Sequence, residues 1–188
     1  MRPQTLLIAA LASVASAQTY KASFTEYGSN DQNNSGNCNV ATSACGYYTN
    51  PGYSAAASQN IFGAKTGQGA GPGCGTCWQL TASTDSSGNK ISGTKSIVVK
   101  VTNLCPGELS EYDLAVGYST NKIFVAENNP LCAQPTTKDT NQYGANVNFD
   151  TCKDSGASQA LFGSSGVGLA VGKATKVDCS QWSGKVIY

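Results

Sequence analysis

Apolar and polar positions alternate with a period of two in several short runs, and glycine or small polar clusters break the chain about every ten residues. That rhythm predicts many short strands rather than long helices. Residues 20–27 (YKASFTEY) alternate as a half-buried strand should. Residues 79–82 and 95–103 read as two more, and the second, carrying Ile97-Val98-Val99, is apolar on both faces like a central strand. Residues 145–150, 166–179 and 184–188 complete the set. Residues 54–62 (SAAASQNIF) are predicted as a short helix, because alanine has the highest helix propensity. Residues 30–39 are polar and turn-rich, and residues 111–128 carry mixed periodicity with a helical turn at 121–125. The sum is a mainly β closed barrel with a few short helices.

The first seventeen residues stand apart from this pattern. Arg2 supplies a positive start, Leu6-Leu7-Ile8-Ala9-Ala10-Leu11-Ala12 an apolar run, and Ala15-Ser16-Ala17 a small-residue cleavage site. Residues 1–17 therefore read as a secretory signal peptide, too short to cross a bilayer at the roughly 20 residues required. Residues 18–188 are expected as one secreted domain. Asn33-Asn34-Ser35 is a glycosylation sequon, placing Asn33 on an exposed loop.

Charge and composition narrow the partners. Arg2 is the sole arginine, so the mature chain balances eleven lysines against eleven acidic residues and contains no histidine. A neutral surface argues against nucleic acid and anionic membranes, which select basic proteins. Without histidine there is no Ser-His-Asp or Cys-His catalysis, so proton chemistry falls to carboxylates. Eight cysteines in a secreted domain imply four disulfides. The Cys74-x-x-Cys77 pair also has zinc spacing, but no histidine is present to complete a mixed site. Nothing here implies a metal or an organic cofactor.

Five segments carry a more specific signal: Thr25-Glu26-Tyr27-Gly28-Ser29-Asn30-Asp31, Ala44-Cys45-Gly46-Tyr47, Cys74-Gly75-Thr76-Cys77-Trp78, Val101-Thr102-Asn103-Leu104-Cys105-Pro106 and Thr140-Asn141-Gln142-Tyr143-Gly144. Together they resemble the six-stranded double-psi β-barrel of expansins and of glycoside hydrolase family 45 endoglucanases, over roughly residues 20–180. The resemblance implies disulfides Cys45–Cys74 and Cys77–Cys179, with Cys105–Cys132 and Cys38–Cys152 completing the set. It also implies a role for Asp150. Both families carry His-Phe-Asp at this point, where the aspartate is the general acid of the hydrolases; here the motif reads Asn148-Phe149-Asp150.

The base side departs from the hydrolase pattern. The position that usually holds a base, two residues after Tyr27, is Ser29, while Asp31 falls where expansins have their aspartate. Asn103 is the amide that some family members are thought to use instead. Inverting hydrolysis needs an acid and a base about 6.5–9.5 Å apart, with the acid kept protonated by burial. Asp150, at an apolar strand end, suits the acid; Asp113 is its rival, in Glu111-Tyr112-Asp113-Leu114. Asp31, in a polar loop, is also a natural turn former, and Asn103 can equally satisfy backbone groups at its strand end. Thr25, Tyr27, Tyr47, Tyr48, Tyr143 and Asn148 are candidate sugar contacts, the tyrosines being expected on an exposed groove beside Asp150; Tyr53 lies in a similar polar context. Trp78 reads as core, and Trp182 has no pattern that assigns it. The expectation is a monomeric, expansin-like protein that binds and loosens cellulose or another β-glucan without hydrolysis. Its rivals are a family 45 endo-β-1,4-glucanase and a barwin-like lectin or inhibitor.

Overall fold

A computed structural model describes residues 17–32, 35–92, 96–107, 129–163, 165 and 167–188. The proposed signal peptide (except Ala17), Asn33, Asp113 and the helical turn at 121–125 lie outside those residues. Among the described residues eight strands run in chain order: β1 (Thr19–Tyr27), β2 (Tyr48–Thr49), β3 (Ser54–Ser58), β4 (Cys77–Asp85), β5 (Ser96–Cys105), β6 (Val147–Cys152), β7 (Ala170–Val177) and β8 (Val186–Ile187). Two short helices, α1 (Gln59–Phe62) and α2 (Ala157–Phe162), follow β3 and β6.

Six strands close into a ring in the order β1-β6-β3-β5-β4-β7, with β2 and β8 paired beside it. The pairs β1–β6 and β3–β5 are parallel and the other four antiparallel, as expected of the double-psi barrel. The four disulfides are Cys38–Cys152, Cys45–Cys74, Cys77–Cys179 and Cys105–Cys132.

The alternation of the strands sorts residues onto two faces. Ala22 and Phe24 of β1, Val147 and Phe149 of β6, Ala55 and Ala57 of β3, and Val99, Val101 and Leu104 of β5 fill one core, together with Leu80 and Trp78 of β4. The intervening positions Tyr27, Ala56, Cys105 and Cys152 join Cys38 and Cys132 in a second buried cluster. Asn148, Asp150 and Asn103 are out of phase with the first core and in step with the second. A bulge keeps β5 in phase: Ala55 opposes Val101 but Ala56 opposes Asn103, leaving Thr102 extra. Such a bulge re-aims the side chains that follow it.

The expected helix over residues 54–62 is overturned. Ser54–Ser58 is a strand buried along its whole length, and only Gln59–Phe62 turns helical. Alanine's propensity loses here to position: β3 lies between β5 and β6 with both faces covered, so only thin side chains fit.

Candidate functional site

Parallel pairing of β1 and β6 sets Ser23 beside Asn148 and Thr25 beside Asp150. These polar residues sit on the strand face opposite the main core, under the Cys38–Cys152 and Cys105–Cys132 bridges. Asp150 is 5 % exposed. Burial pushes its carboxyl up to about 7, with Asp31 and Glu26 raising it further and the Thr25 hydroxyl opposing them. It therefore holds its proton through the mildly acidic range in which ordinary aspartates are charged. Among the described residues the ion pair is Lys153–Glu26, so no described cation neutralises Asp150.

A chain of amides and hydroxyls backs Thr25. Asn141 Nδ2 donates to Ser23 Oγ (2.9 Å), which donates to Asn148 Oδ1 (2.6 Å). Asn148 Nδ2 then donates to Thr25 Oγ1 at 3.0 Å and lies 3.2 Å from Cys132 Sγ. Asn129 Nδ2 also donates to Thr25 Oγ1 (3.2 Å), while its Oδ1 caps the turn Pro130–Cys132. With both lone pairs of Thr25 accepting, its own proton is left to point elsewhere, and Asp150 is its neighbour. Asn148, fully buried, is thus a strut behind Thr25 and not the sugar contact expected from the sequence.

On the other side of Asp150 lies Tyr27, whose ring is 5 % exposed. Burial, then the charge of Asp150, raises its phenol, while Asn103 beside it works the other way. The Tyr27 hydroxyl, the Thr102 hydroxyl and Asp150 Oδ1 are buried with no partner at ordinary hydrogen-bond distance among the described residues, although Asn103 and Thr102 stand near enough to lower the Tyr27 phenol. Unpaired polar atoms so close together are costly in a core, and such strain concentrates at functional sites.

The proposed base residues are committed elsewhere. Asp31 Oδ2 accepts from Gly28 N (3.0 Å) and Oδ1 from Ser35 N (2.9 Å), closing a turn. Asn103 Oδ1 accepts from Ala44 N (2.9 Å) and Leu104 N (3.0 Å). Asp31 still stands near enough to raise Asp150 by its charge.

The structure brings Thr25, Tyr27, Asn103, Asn148 and Asp150 together, with Asp31 nearby, but it does not give the expected row of exposed tyrosines. Tyr27 and Tyr47 are buried, because strand alternation turns Tyr27 toward the disulfides and Tyr47 donates to Val101 O at 2.9 Å. Burial pushes the Tyr47 phenol up to about 12. Tyr48 belongs to the β2–β8 ladder, and Tyr143 sits in a turn whose carbonyl accepts from Lys21 Nζ (3.0 Å). Trp78 is core, as expected, and donates Nε1 to Thr76 Oγ1. Sequence reasoning missed Ser23, Asn129 and Asn141. Asn141 lay in the Thr140–Gly144 motif without a role assigned to it, and Asn129 carried a local signal: an asparagine before proline is a natural cap for the turn that follows.

Comparisons with known proteins agree with this architecture. Endoglucanase-5 of Hypocrea jecorina is 32 % identical over 144 residues, which cover 73 % of this chain and 51 % of that protein, so the chain spans about half the length of the curated relative it matches. Among solved structures, the GH45 endoglucanase EG27II in complex with cellobiose matches with a TM-score of 0.51 at 21 % identity, covering 85 % of this chain and 80 % of that one. An alanine variant of EG27II, also with cellobiose, matches with a TM-score of 0.50 at 19 % identity, covering 85 % and 81 %. These structural likenesses show the shared fold. The family model described as EXPB1-like domain 1 matches residues 22–124 and 114–184, nearly the whole described chain, and the chain belongs to that family.

Proposed function

We propose that this protein is secreted, binds cellulose or a related β-glucan, and loosens it without net hydrolysis. The observation that carries this reading is the state of the base side: Asp31 accepts a backbone N–H on each oxygen and closes a turn, Asn103 Oδ1 accepts two, and the usual base position is Ser29. Asp150, protonated up to about pH 7, then serves as a hydrogen-bond donor to a glycosidic or hydroxyl oxygen. Such a bond competes with those between packed glucan chains and breaks no covalent link. Four disulfides and the neutral surface suit an oxidising, extracellular setting and an uncharged polymer.

A specific observation favours the second reading, an inverting endo-β-1,4-glucanase. A buried carboxyl held protonated near neutrality is what a general acid needs, and the curated relative is an endoglucanase. One experiment separates the two. Purified protein is incubated with cellohexaose and barley β-glucan, and new reducing ends are measured beside pull-down on insoluble glucan. Binding without reducing ends is expected. Release of reducing ends that disappears in Asp150→Asn overturns the non-hydrolytic reading in favour of the endoglucanase. Failure to bind any insoluble wall polysaccharide overturns both.

A further inference from the structure

A second surface has the chemistry of a sugar site. Where β5 begins, α2 and the C-terminal segment enclose an open cleft of about 930 Å³, a size typical of ligand pockets, about 300–1,000 Å³. It is lined by Tyr53, by Ser96 and Val98 of β5, by Gln159 of α2, and by Gln181 and Ser183 near the C-terminus. It lies apart from Asp150: Tyr53 precedes Ala56, the residue level with Asp150, by three positions, roughly 10 Å at about 3.3 Å per residue, and Val98 lies further along β5.

Three features of this cleft point the same way. Among the described residues its lining holds no charged residue; amides and hydroxyls surround short apolar stretches. Tyr53 is 38 % exposed, one of two large hydrophobic residues that face solvent among those described. Its backbone is also anchored. Lys100 N and Trp182 Nε1 both donate to the Tyr53 carbonyl, at 3.0 and 2.9 Å. Trp182 is itself wedged between Lys100 Nζ, 4.7 Å from its ring, and Gly52 and Gly184, where any Cβ would strike the indole. A Cβ on Gly156 would lie 3.6 Å from the Tyr53 ring, an ordinary contact. An exposed aromatic on an anchored backbone, flanked by amides and hydroxyls and with no charged residue among those described, matches a pyranose ring: the C–H face stacks on the tyrosine and the rim hydroxyls find donors and acceptors.

We infer that this cleft is a second glycan-binding site, which takes a segment of a neutral β-glucan chain and anchors the protein while Asp150 engages another segment. The class of ligand rests on the function proposed above; the site itself rests on the cleft.

The test titrates ¹⁵N-labelled protein with cellohexaose and follows backbone amides, alongside partition onto insoluble β-glucan. Two separate groups of shifted amides are expected, one around Thr25 and Asp150 and one around Tyr53, Gln159, Gln181 and Ser183. Tyr53→Ala is expected to erase the second group and to weaken partition by up to about tenfold, the worth of one aromatic contact of about 1.4 kcal/mol. Tyr53→Phe, which keeps the ring, is expected to retain both. Gln159→Ala, at an exposed helix position, is a second variant that leaves the fold intact should Tyr53→Ala disturb it, and it is expected to weaken the second group alone. Asp150→Asn is expected to leave that group unchanged. Shifts at Asp150 with none at the cleft overturn the second site and spare the proposed function. No shifts at either place overturn both. Cleft shifts that appear on concentrating the protein without sugar assign the surface to self-association and also overturn the inference.

Discussion

Asp150 and Asp154 lie four residues apart and behave as opposites. Asp150, on β6, is enclosed, and burial raises it to about 7. Asp154, in the turn after β6, also feels burial, but hydrogen bonds from Ser29 and Cys38 outweigh it and hold its carboxyl below the ordinary range. Its Oδ2 accepts from Ser29 N at 3.0 Å and from Cys38 N at 2.9 Å. Gly28, with φ of +133°, leaves room for that carboxylate; a Cβ there would lie 2.6 Å from it. One aspartate is thus built to stay charged and tie a loop, the other to stay neutral and wait. Donors on Ser29 and Cys38 make the difference: several of them favour the anion, whereas burial beside the single Thr25 hydroxyl favours the acid.

The largest expected effect comes from cutting the bridge between the two. Cys152 lies between the aspartates and is bonded to Cys38, 114 residues away in sequence. Replacing both cysteines with alanine is expected to cost about 4–5 kcal/mol, read from denaturant midpoints, since the bridge closes a long loop. Retained stability would mean that Asp154 alone holds the Cys38 loop in place.

Asp150 is next. Its folded pKa of about 7 exceeds the ordinary 3.8, so the folded state holds a proton that the unfolded state has lost between those values. Stability from this group is full below about pH 4 and falls by about 1.4 kcal/mol per pH unit as pH rises toward 7. In Asp150→Asn that slope should vanish, leaving the variant more stable than wild type at pH 8. A parallel pH profile in the two proteins would refute the burial argument.

Asp154→Asn acts with the opposite sign and less force. Its contribution is present above the ordinary carboxylate pKa and is lost as pH falls below it. About 1–2 kcal/mol is expected at pH 7, discounted because the group is partly open to solvent and screening. Unfolding curves at pH 7 and pH 3 should show the gap closing in acid. The smallest shift in titration is expected from Thr25→Val, which removes the hydroxyl that opposes the upward shift of Asp150 and also takes one acceptor from Asn148 and Asn129. The carboxyl should titrate higher than in wild type while the fold is kept; a lower midpoint would mean that Thr25 accepts from Asp150 rather than donating.

Much of the barrel was legible because strands declare themselves by alternation. Residues 20–27 and 95–103 fall almost where β1 and β5 do. Ser54–Ser58 was not legible, since three alanines say helix locally and only the neighbours on both sides say strand. Asp150 and Asn103 were found through motif resemblance, but Tyr27 and Tyr47 were misplaced. A tyrosine among glycines and polar residues looks exposed, and nothing local shows that disulfides will cover one and a carbonyl will capture the other. The hydrogen-bonded run from Asn141 through Ser23 and Asn148 to Thr25 joins residues more than a hundred positions apart, a pairing that only parallel β1 and β6 create.

The most direct test is a pH titration of the Asp150 carboxyl carbon by ¹³C NMR, with Asp150→Asn to assign the signal. A midpoint near 7 is expected. A midpoint near 4, the value of an exposed aspartate, would contradict the enclosed, proton-holding site on which the proposed function depends.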